Sequence, residues 1–398
     1  MAELLSIAEA QRSILERVRP LSAETVALEE AAGRVLAEPA PAIVDLPPFP
    51  SSAMDGYAVR SADTPGRLPV VARIAAGRPA PRALAPGEAM GIATGGVVPD
   101  GADAVIPVEY VVADDNEVEI SGAVEVGANV RPRGGDVQAG SPVVEPGSVL
   151  TPARVGALAA AGVAAVRCPR RPRAAVLSTG TELRKPGEPL APGQVYEANG
   201  LILSAQLGVA GADVELLPAV GDDEVAHRTA LERALRADVV VTSGGVSVGP
   251  HDLVRRAEAD LGVEEVFWRV AVKPGKPIAF GVRGETLVFG LPGNPVSVLV
   301  GFELFVRPAI RALQGVPGPL PQFEPGRLAG GARRRNPERD ELVRARIRLG
   351  EDGVLLEPLS GQESHMIARA AAADALILVP RGEGEVATGA RVEFLRLG

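Results

Sequence analysis

Patterns of apolar and polar residues divide the chain into segments of different secondary structure. An amino-terminal helix is predicted from apolar residues at helical spacing, which are Leu4, Ile7, Ile14, Leu15 and Val18. A second helix is predicted over residues 29–37, and a third opens at Thr151-Pro152 with a cap and a first-turn proline. Over residues 45–140, short Val/Ile runs broken by Pro and Gly predict strands. We therefore expect an amino-terminal helical and linker domain, residues 1–44 plus 141–168, with an inserted β-rich domain, residues 45–140.

Strands and helices alternate regularly from residue 169 to residue 315. Strands are predicted at 174–178, 212–217, 238–242, 278–282 and 286–290, and helices at 199–208, 223–236, 250–260 and 294–314. This βα rhythm predicts a largely parallel sheet between two helical layers, which is a Rossmann-like three-layer α/β domain.

Alternating apolar segments return after the proline-rich linker 316–321. They suit a small carboxy-terminal β-barrel over residues 322–398. The fold class is therefore multidomain α/β and β.

Composition narrows the class of function. The net charge of −9 argues against nucleic acid and anionic membranes as partners, because both attract basic surfaces. The single cysteine, Cys168, excludes an internal disulfide and a cysteine-cluster metal site. No apolar run is long enough to span a bilayer, so we expect a soluble, cytoplasmic small-molecule enzyme. The three histidines show no metal-ligand spacing, and His227 is expected on a helix surface.

Lysine is rare and clustered in this chain. Of 41 basic residues only Lys185, Lys273 and Lys276 are lysine, and two of these share one Pro/Gly-rich turn. The lysine ammonium is a compact, flexible point charge, unlike the planar guanidinium of the arginines that supply the other basic residues. The turn is therefore a candidate oxyanion contact, although chance clustering is the alternative.

Four turns after predicted strands combine glycine with hydroxyl or acidic residues. They are Ser178-Thr179-Gly180, Gly221-Asp222-Asp223, Ser243-Gly244-Gly245-Val246-Ser247 and Leu291-Pro292-Gly293-Asn294-Pro295. Ligands of an open parallel sheet bind outside the carboxyl ends of its strands, where such turns let backbone amides approach a phosphate. No dinucleotide fingerprint or P-loop pattern occurs. Together the four turns predict an anion-binding pocket, whereas any one of them alone would be an ordinary turn between a strand and a helix.

Acidic residues near these turns suggest a magnesium ion. Glu182, Asp222, Asp223 and Asp252 offer the oxygen ligands that Mg²⁺ prefers near phosphate, although each singly suits a helix start or a solvated surface. Two further carboxylates, Asp55 and Asp136, lie in tight turns of the amino-terminal half, where a satisfied turn aspartate is the alternative.

Seven motifs in order resemble the molybdopterin molybdenumtransferases, the family that includes the E domain of gephyrin, over essentially the whole chain. They are Met54 to Ala58, Thr94-Gly95 with Pro99 to Val105, Arg133 to Asp136, Ser178 to Gly180, Ser243 to Gly249 with Asp252, Lys273 to Pro277, and Leu291 to Pro295. The resemblance implies insertion of molybdenum from molybdate into adenylylated molybdopterin, with release of AMP. It also implies an elongated homodimer whose cleft combines the α/β domain of one subunit with amino-terminal regions of the other.

The resemblance assigns roles to individual residues. It implies that Asp55, Asp136, Glu182, Asp222, Asp252, Lys273 and Lys276 are catalytic, with Glu182, Asp222 and Asp252 linked to Mg²⁺. Substrate binding is assigned to Thr94, Ser178, Thr179, Gly180, Ser243, Gly244, Gly245, Ser247, Pro277, Pro292, Gly293, Asn294, Arg344 and Ser364. Neighbouring arginines could align with the family's arginine in place of Arg344. Thr181 departs from the aspartate that many members carry before the glutamate.

Two alternatives remain at this stage. Molybdopterin adenylyltransferase uses a similar α/β domain, but its glycine turn is threonine-rich and it lacks the other regions. A non-catalytic oligomeric scaffold also occurs in the family, but it carries a further fused domain. The resemblance makes the adenylyltransferase and apo-molybdoenzymes candidate partners, and leaves the choice between molybdate and tungstate open.

Overall fold

The computed structural model describes residues 4–245, 253–331, 333–350 and 353–397, which belong to two compact units. One unit is Glu24–Cys168, and the other joins Met1–Ala23 to Pro169–Gly398. The helices are α1 Ile7–Leu15, α2 Pro152–Ala160, α3 Asn199–Val209, α4 Glu224–Ala234, α5 Leu253–Asp260, α6 Pro295–Gly301, α7 Arg307–Leu313 and α8 Ile367–Ala370. None of the helices in these ranges has the length and apolar character needed to cross a membrane.

Strands before residue 170 are short. They are β1 Ala23–Ala27, β2 Ala40–Pro41, β3 Ser51–Ser52, β4 Gly56–Val59, β5 Gly66–Ile74, β6 Ala89–Ile92, β7 Ala104–Pro107, β8 Val111–Ala113, β9 Glu117–Ile120, β10 Val130–Arg131, β11 Pro142–Val144 and β12 Ala165–Pro169. The later strands are β13 Arg173–Ser178, β14 Leu183–Arg184, β15 Val195–Tyr196, β16 Asp213–Leu216, β17 Val239–Ser243, β18 Glu264–Trp268, β19 Val272–Lys273, β20 Ala279–Arg283, β21 Thr286–Leu291, β22 Phe323–Leu328, β23 Arg333–Arg334, β24 Asp340–Gly350, β25 Gly353–Pro358, β26 Ala375–Val379, β27 Glu385–Val386 and β28 Arg391–Arg396.

A six-stranded mixed sheet dominates the unit Glu24–Cys168. Its strand order is β7-β4-β6-β5-β9-β8. Side chains of β4 alternate between two apolar clusters, with Tyr57 and Val59 in one and Ala58 in the other. Both faces of the sheet are therefore covered, and the predicted β-rich insertion is confirmed.

A separate apolar cluster in this unit joins the segments on either side of the insertion. Strands β2 and β11 pair, and Leu36 packs in one cluster with Leu158 and Cys168. Burial raises the pKa of the Cys168 thiol. The predicted helix over 29–37 is wrong. Only a 3₁₀ turn forms at Leu28–Glu30, and the chain turns away at Gly33, whose φ is +78°.

Helix α1 packs in the other unit, although the sequence analysis grouped it with residues 141–168. It begins with a capping box, in which the Ser6 hydroxyl accepts from the Glu9 amide at 3.2 Å and the Ser6 amide donates to the Glu9 carboxylate at 2.8 Å. Ala10 and Ile14 lie in the same core as α3, α6 and α7. An amphipathic pattern reveals a buried face but not the surface that covers it.

The central sheet has the order β16-β13-β17-β21-β20-β18. Its first four strands are parallel, β20 runs antiparallel to them, and β18, which pairs antiparallel with β20, runs in the same direction as the first four. Helices α3, α6 and α7 cover one face, and α4 and α5 cover the other. The predicted three-layer α/β domain is confirmed, with β18 as an unpredicted edge strand.

The carboxy-terminal strands close into a small barrel, as predicted. Strands β24, β25, β22, β28 and β26 pair in sequence, and β26 pairs back to β24. The barrel interior is apolar and includes Val343, Leu356, Ile377 and Phe394. Strand β19 adds to β24 in parallel register. The segment that carries two of the three lysines is therefore joined to the barrel.

Candidate active site

The glycine turns lie side by side because the strands before them end in register. Ser178 of β13 is opposite Ser243 of β17, which in turn is opposite Leu291 of β21. Backbone hydrogen bonds continue this order past the strands, from the Thr179 amide to the Ser243 carbonyl at 2.9 Å and from the Gly244 amide to the Leu291 carbonyl at 3.1 Å. These turns therefore share one edge of the sheet.

Gly244 and Gly245 form a turn that other residues would strain. Their φ values are +91° and +68°, and a Cβ on Gly244 would lie 2.5 Å from the Thr179 carbonyl oxygen. Only glycine lets the two backbones approach this closely. The turn thus presents main-chain atoms at the carboxyl end of β17 without an intervening side chain.

A cleft of about 540 Å³ opens at this edge of the sheet. It is lined by Thr179, Gly180, Glu182, Asp222, His227, Gly244, Gly245, Leu253, Val254, Pro277, Pro292, Gly293 and Asn294. Most residues predicted on the α/β domain to bind substrate are therefore brought together. Ser178 and Ser243 are buried beside it, each 2 % exposed.

Two carboxylates in the cleft have no partner among the residues that the structure describes. Within the described ranges, neither Glu182 nor Asp222 makes a side-chain hydrogen bond or ion pair. No group of three His, Cys, Asp or Glu side chains in those ranges is placed to hold a metal ion by itself. Mg²⁺ prefers carboxylate oxygens combined with phosphate oxygens of a substrate, so the chemistry of these two residues fits that ion.

Glu197 and Asn199 connect the turns, and the sequence analysis did not assign them to the site. The Glu197 carboxylate accepts from the Ser178 hydroxyl at 2.8 Å and from the Gly200 amide at 2.6 Å. The Asn199 side-chain amide donates to the Ser243 hydroxyl at 2.9 Å and to the Gly293 carbonyl at 2.7 Å. Glu-Ala-Asn-Gly at the start of an apolar helix was the available signal, because polar side chains there can bond the free amides of the first turn.

The two clustered lysines have different environments. The Lys273 ammonium forms an ion pair with Glu341 of the barrel at 3.2 Å. Lys276 is partly exposed and has no side-chain partner among the residues described. Pro277, which follows it, lines the cleft. Lys276 is therefore the lysine whose positive charge is available to an incoming anion.

Arg344 is buried and organises the loop that carries Ser364. It is 1 % exposed, and its guanidinium donates to the carbonyls of Gly361 at 2.9 Å and Met366 at 3.0 Å. Burial lowers the pKa of Arg344. The Ser364 carbonyl accepts from the Val296 amide at 3.0 Å, so this loop reaches the start of α6 beside Asn294.

Replacing Arg344 by leucine is expected to destabilise the barrel. Loss of the guanidinium removes hydrogen bonds from partly buried loop carbonyls and the charge that orders the loop, which should lower the free energy of unfolding by about 3 kcal/mol. Urea denaturation measures this change. Arg346→Leu is the matched control, because Arg346 is exposed on the same strand, and a similar loss in both variants would contradict the role of Arg344.

In the unit Glu24–Cys168, Asp55 and Thr94 come together. The Asp55 carboxylate accepts from the Thr94 amide at 2.7 Å and from its hydroxyl at 3.1 Å. These hydrogen bonds, the backbone one first, hold the pKa of Asp55 below its ordinary value. Asp136 is exposed and has no side-chain partner among described residues. Both carboxylates are therefore presented at the surface of this unit.

Three further predictions concern residues near the glycine turn. Ser247 and Asp252 lie outside the described residues. The prediction that His227 lies on a helix surface is wrong, since it is 2 % exposed and lines the cleft. His227, Leu231 and Ala234 form the buried face of α4 at helical spacing, which was the signal for burial.

Family models match three successive parts of the chain. Residues 5–162 match the MoeA N-terminal region (domain I and II), residues 175–312 a probable molybdopterin binding domain, and residues 328–397 the MoeA C-terminal region (domain IV). The matched segments therefore include the amino-terminal unit, the α/β domain and the barrel.

Individual relatives match over most of their length. The chain is 39 % identical to a protein named molybdopterin molybdenumtransferase 2 from Mycobacterium tuberculosis, over 98 % of both chains. It is 37 % identical to molybdopterin molybdenumtransferase from Haemophilus influenzae, over 78 % of both. A crystal structure of the molybdopterin biosynthesis MoeA protein from Pyrococcus horikosii matches with a TM-score of 0.83 and 31 % identity, covering 99 % of both chains.

Proposed function

Because the chain belongs to the MoeA family of molybdopterin molybdenumtransferases, as its motifs predicted, we propose that it inserts molybdenum from molybdate into adenylylated molybdopterin and releases AMP. It is thus a transferase of molybdenum-cofactor biosynthesis. The observation that carries the proposal is the glycine-turn cleft, with two carboxylates that have no partner in the described ranges, next to the segment 273–277, called the lysine segment below. The matches to the amino- and carboxy-terminal regions disfavour the adenylyltransferase alternative.

The turns bind the phosphates of the substrate in this proposal. The main-chain amide of Gly245 is the donor, and Gly180 and Gly244, whose amides already donate to the Val220 and Leu291 carbonyls, let the phosphate approach because they carry no Cβ. Asn199 and Glu197 keep these turns in place through their hydrogen bonds. The remaining substrate contacts proposed are Thr94, Ser178, Thr179, Ser243, Ser247, Pro277, Pro292, Gly293, Asn294 and Ser364.

The molybdate oxyanion is assigned to the lysine segment, which carries Lys273 and Lys276. Molybdate is a dianion, and an ammonium without a counterion stabilises it by charge-assisted hydrogen bonds. Lys276 supplies the direct charge, and Lys273 shares its charge with Glu341. Arg344 acts by holding the Ser364 loop through the carbonyls that it binds.

Glu182 and Asp222 would hold Mg²⁺ together with phosphate oxygens of the substrate, and Asp252 is proposed as a third acid. The ion, when bound, neutralises phosphate charge and assists the departure of AMP. The protein's contribution is two carboxylates kept free of arginine and lysine partners within the described ranges.

We also propose that a homodimer completes the site. Asp55 and Asp136 are exposed carboxylates remote in sequence from the α/β domain, and in this proposal they reach the cleft of a second subunit. Hydrogen bonds from Thr94 orient the Asp55 carboxylate and lower its pKa below the ordinary value. The adenylyltransferase and apo-molybdoenzymes are the proposed partners, and we propose a cytoplasmic location.

The test supplies purified protein with adenylylated molybdopterin and Mg²⁺, with and without molybdate, and measures AMP by chromatography. Molybdate should start the release of AMP. A parallel sample with tungstate tests whether the site distinguishes two oxyanions of the same charge. Release that does not depend on either oxyanion would contradict the proposed insertion.

A further inference from the structure

His227 is a buried imidazole at the cleft that has no partner among the described residues. It lies on α4 and is 2 % exposed, and both its Nδ1 and its Nε2 lack a hydrogen bond with any described residue. It lines the same cleft as Glu182, Asp222 and the Gly244–Gly245 turn. Its polar atoms are therefore removed from solvent but lie at the wall of a ligand-sized space.

Such burial costs free energy. A buried polar group without a partner loses its hydration and gains nothing in return, and an apolar residue at the same position would avoid that cost. The next residues on this face of α4, Leu231 and Ala234, are apolar and pack in the domain core. An imidazole among them indicates a function that needs its nitrogens.

The surroundings favour a hydrogen-bond donor to an anion over a metal ligand. Across the part of the chain that the structure describes, no three acidic, histidine or cysteine side chains are placed to hold a metal ion, so His227 does not form such a site with Glu182 and Asp222. The nearby turn of Gly244 and Gly245 can bring phosphate into the cleft. A neutral imidazole carries one N–H donor and can satisfy it on a phosphate oxygen.

We propose that His227 is a substrate-binding residue that donates a ring N–H to a phosphate oxygen of the nucleotide part of the substrate. This inference rests on the proposed function for the identity of that substrate. It adds a direct hydrogen-bond donor to a cleft whose two carboxylates are acceptors. The unpartnered imidazole in the free protein is thereby explained as a group whose partner arrives with the ligand.

The first experiment measures AMP binding by calorimetry, because AMP is the nucleotide part of the proposed product. His227→Leu should weaken AMP binding about tenfold, the loss expected for one hydrogen bond. Its thermal midpoint should stay the same or rise by roughly 2–4 °C, because an unsatisfied polar group is removed. His227→Gln retains an amide donor and should recover part of the affinity.

Ser204→Ala is the matched control. The Ser204 hydroxyl is another buried polar atom without a partner among the described residues, but it lies on α3 and does not line the cleft. Its removal should also preserve or raise the thermal midpoint while leaving AMP binding unchanged. Unchanged AMP binding in His227→Leu, or an equal loss in Ser204→Ala, would overturn the inference.

A second measurement does not require the leucine variant to fold. The ¹⁵N resonances of the imidazole rings can be followed in the full-length protein, with those of His227 assigned by their loss in His227→Gln. Adding AMP should shift a His227 ring resonance, and no shift at saturating AMP would overturn the contact. If this shift appears but molybdate releases no AMP from adenylylated molybdopterin, the proposed function fails while the phosphate contact stands.

Discussion

Lys276→Ala is expected to lower molybdate-dependent release of AMP at least about 100-fold, because it removes a preorganised positive charge from an oxyanion site. The wild-type ammonium has no counterion among the described residues, so its whole charge is available to the anion. Lys273 should matter less, because Glu341 already pairs with it at 3.2 Å. The measurement is the initial rate of AMP formation at saturating molybdate.

Lys185→Ala provides the matched control for this prediction. Lys185 is the remaining lysine, and it is exposed and lies outside the segment 272–277. Circular dichroism should show that both variants remain folded. An undiminished rate in Lys276→Ala, or equal losses in both variants, would remove Lys276 from the oxyanion site.

The double variant Glu182→Gln, Asp222→Asn is expected to lower AMP release by about 100-fold and to abolish its dependence on Mg²⁺ concentration. The amides preserve the shape of the side chains but lose the negative charge that a hard cation requires. Both carboxylates lack protein partners within the described ranges, so the change should leave stability nearly unaffected. A magnesium titration of the initial rate measures the effect.

Glu224→Gln is the control for charge alone. Glu224 is exposed in the first turn of α4, two residues beyond Asp222, and is absent from the lining of the cleft. It should retain the wild-type response to Mg²⁺. Retention of that response by the double variant would show that these two carboxylates do not hold the ion.

The general architecture could be predicted because periodicity reports directly on buried faces. The βα rhythm after residue 169 gave the three layers, and alternation after residue 321 gave the barrel. Edge strand β18 was missed because Glu264 and Glu265 interrupt its apolar pattern. The sequence also could not show which core α1 packs against, because an apolar helix face does not specify the surface that covers it.

The part of the site that could be predicted is the part positioned by the parallel strands. Glycine turns after parallel strands converge at one sheet edge, and the register of Ser178 and Ser243 places them there. Hydrogen bonds between distant segments were not predictable, and Asn199 connects two turns in this way. Arg344 stood out for its charge, whereas its burial commits that charge to loop carbonyls.

The most direct test of the account compares two amounts in a single reaction of the wild-type protein. AMP released from adenylylated molybdopterin is measured by chromatography, and molybdenum retained in the cofactor is measured by elemental analysis after free molybdate is removed. The account predicts that both appear only together and in equal molar amounts. AMP release without retained molybdenum, or molybdenum retained without AMP release, would contradict it.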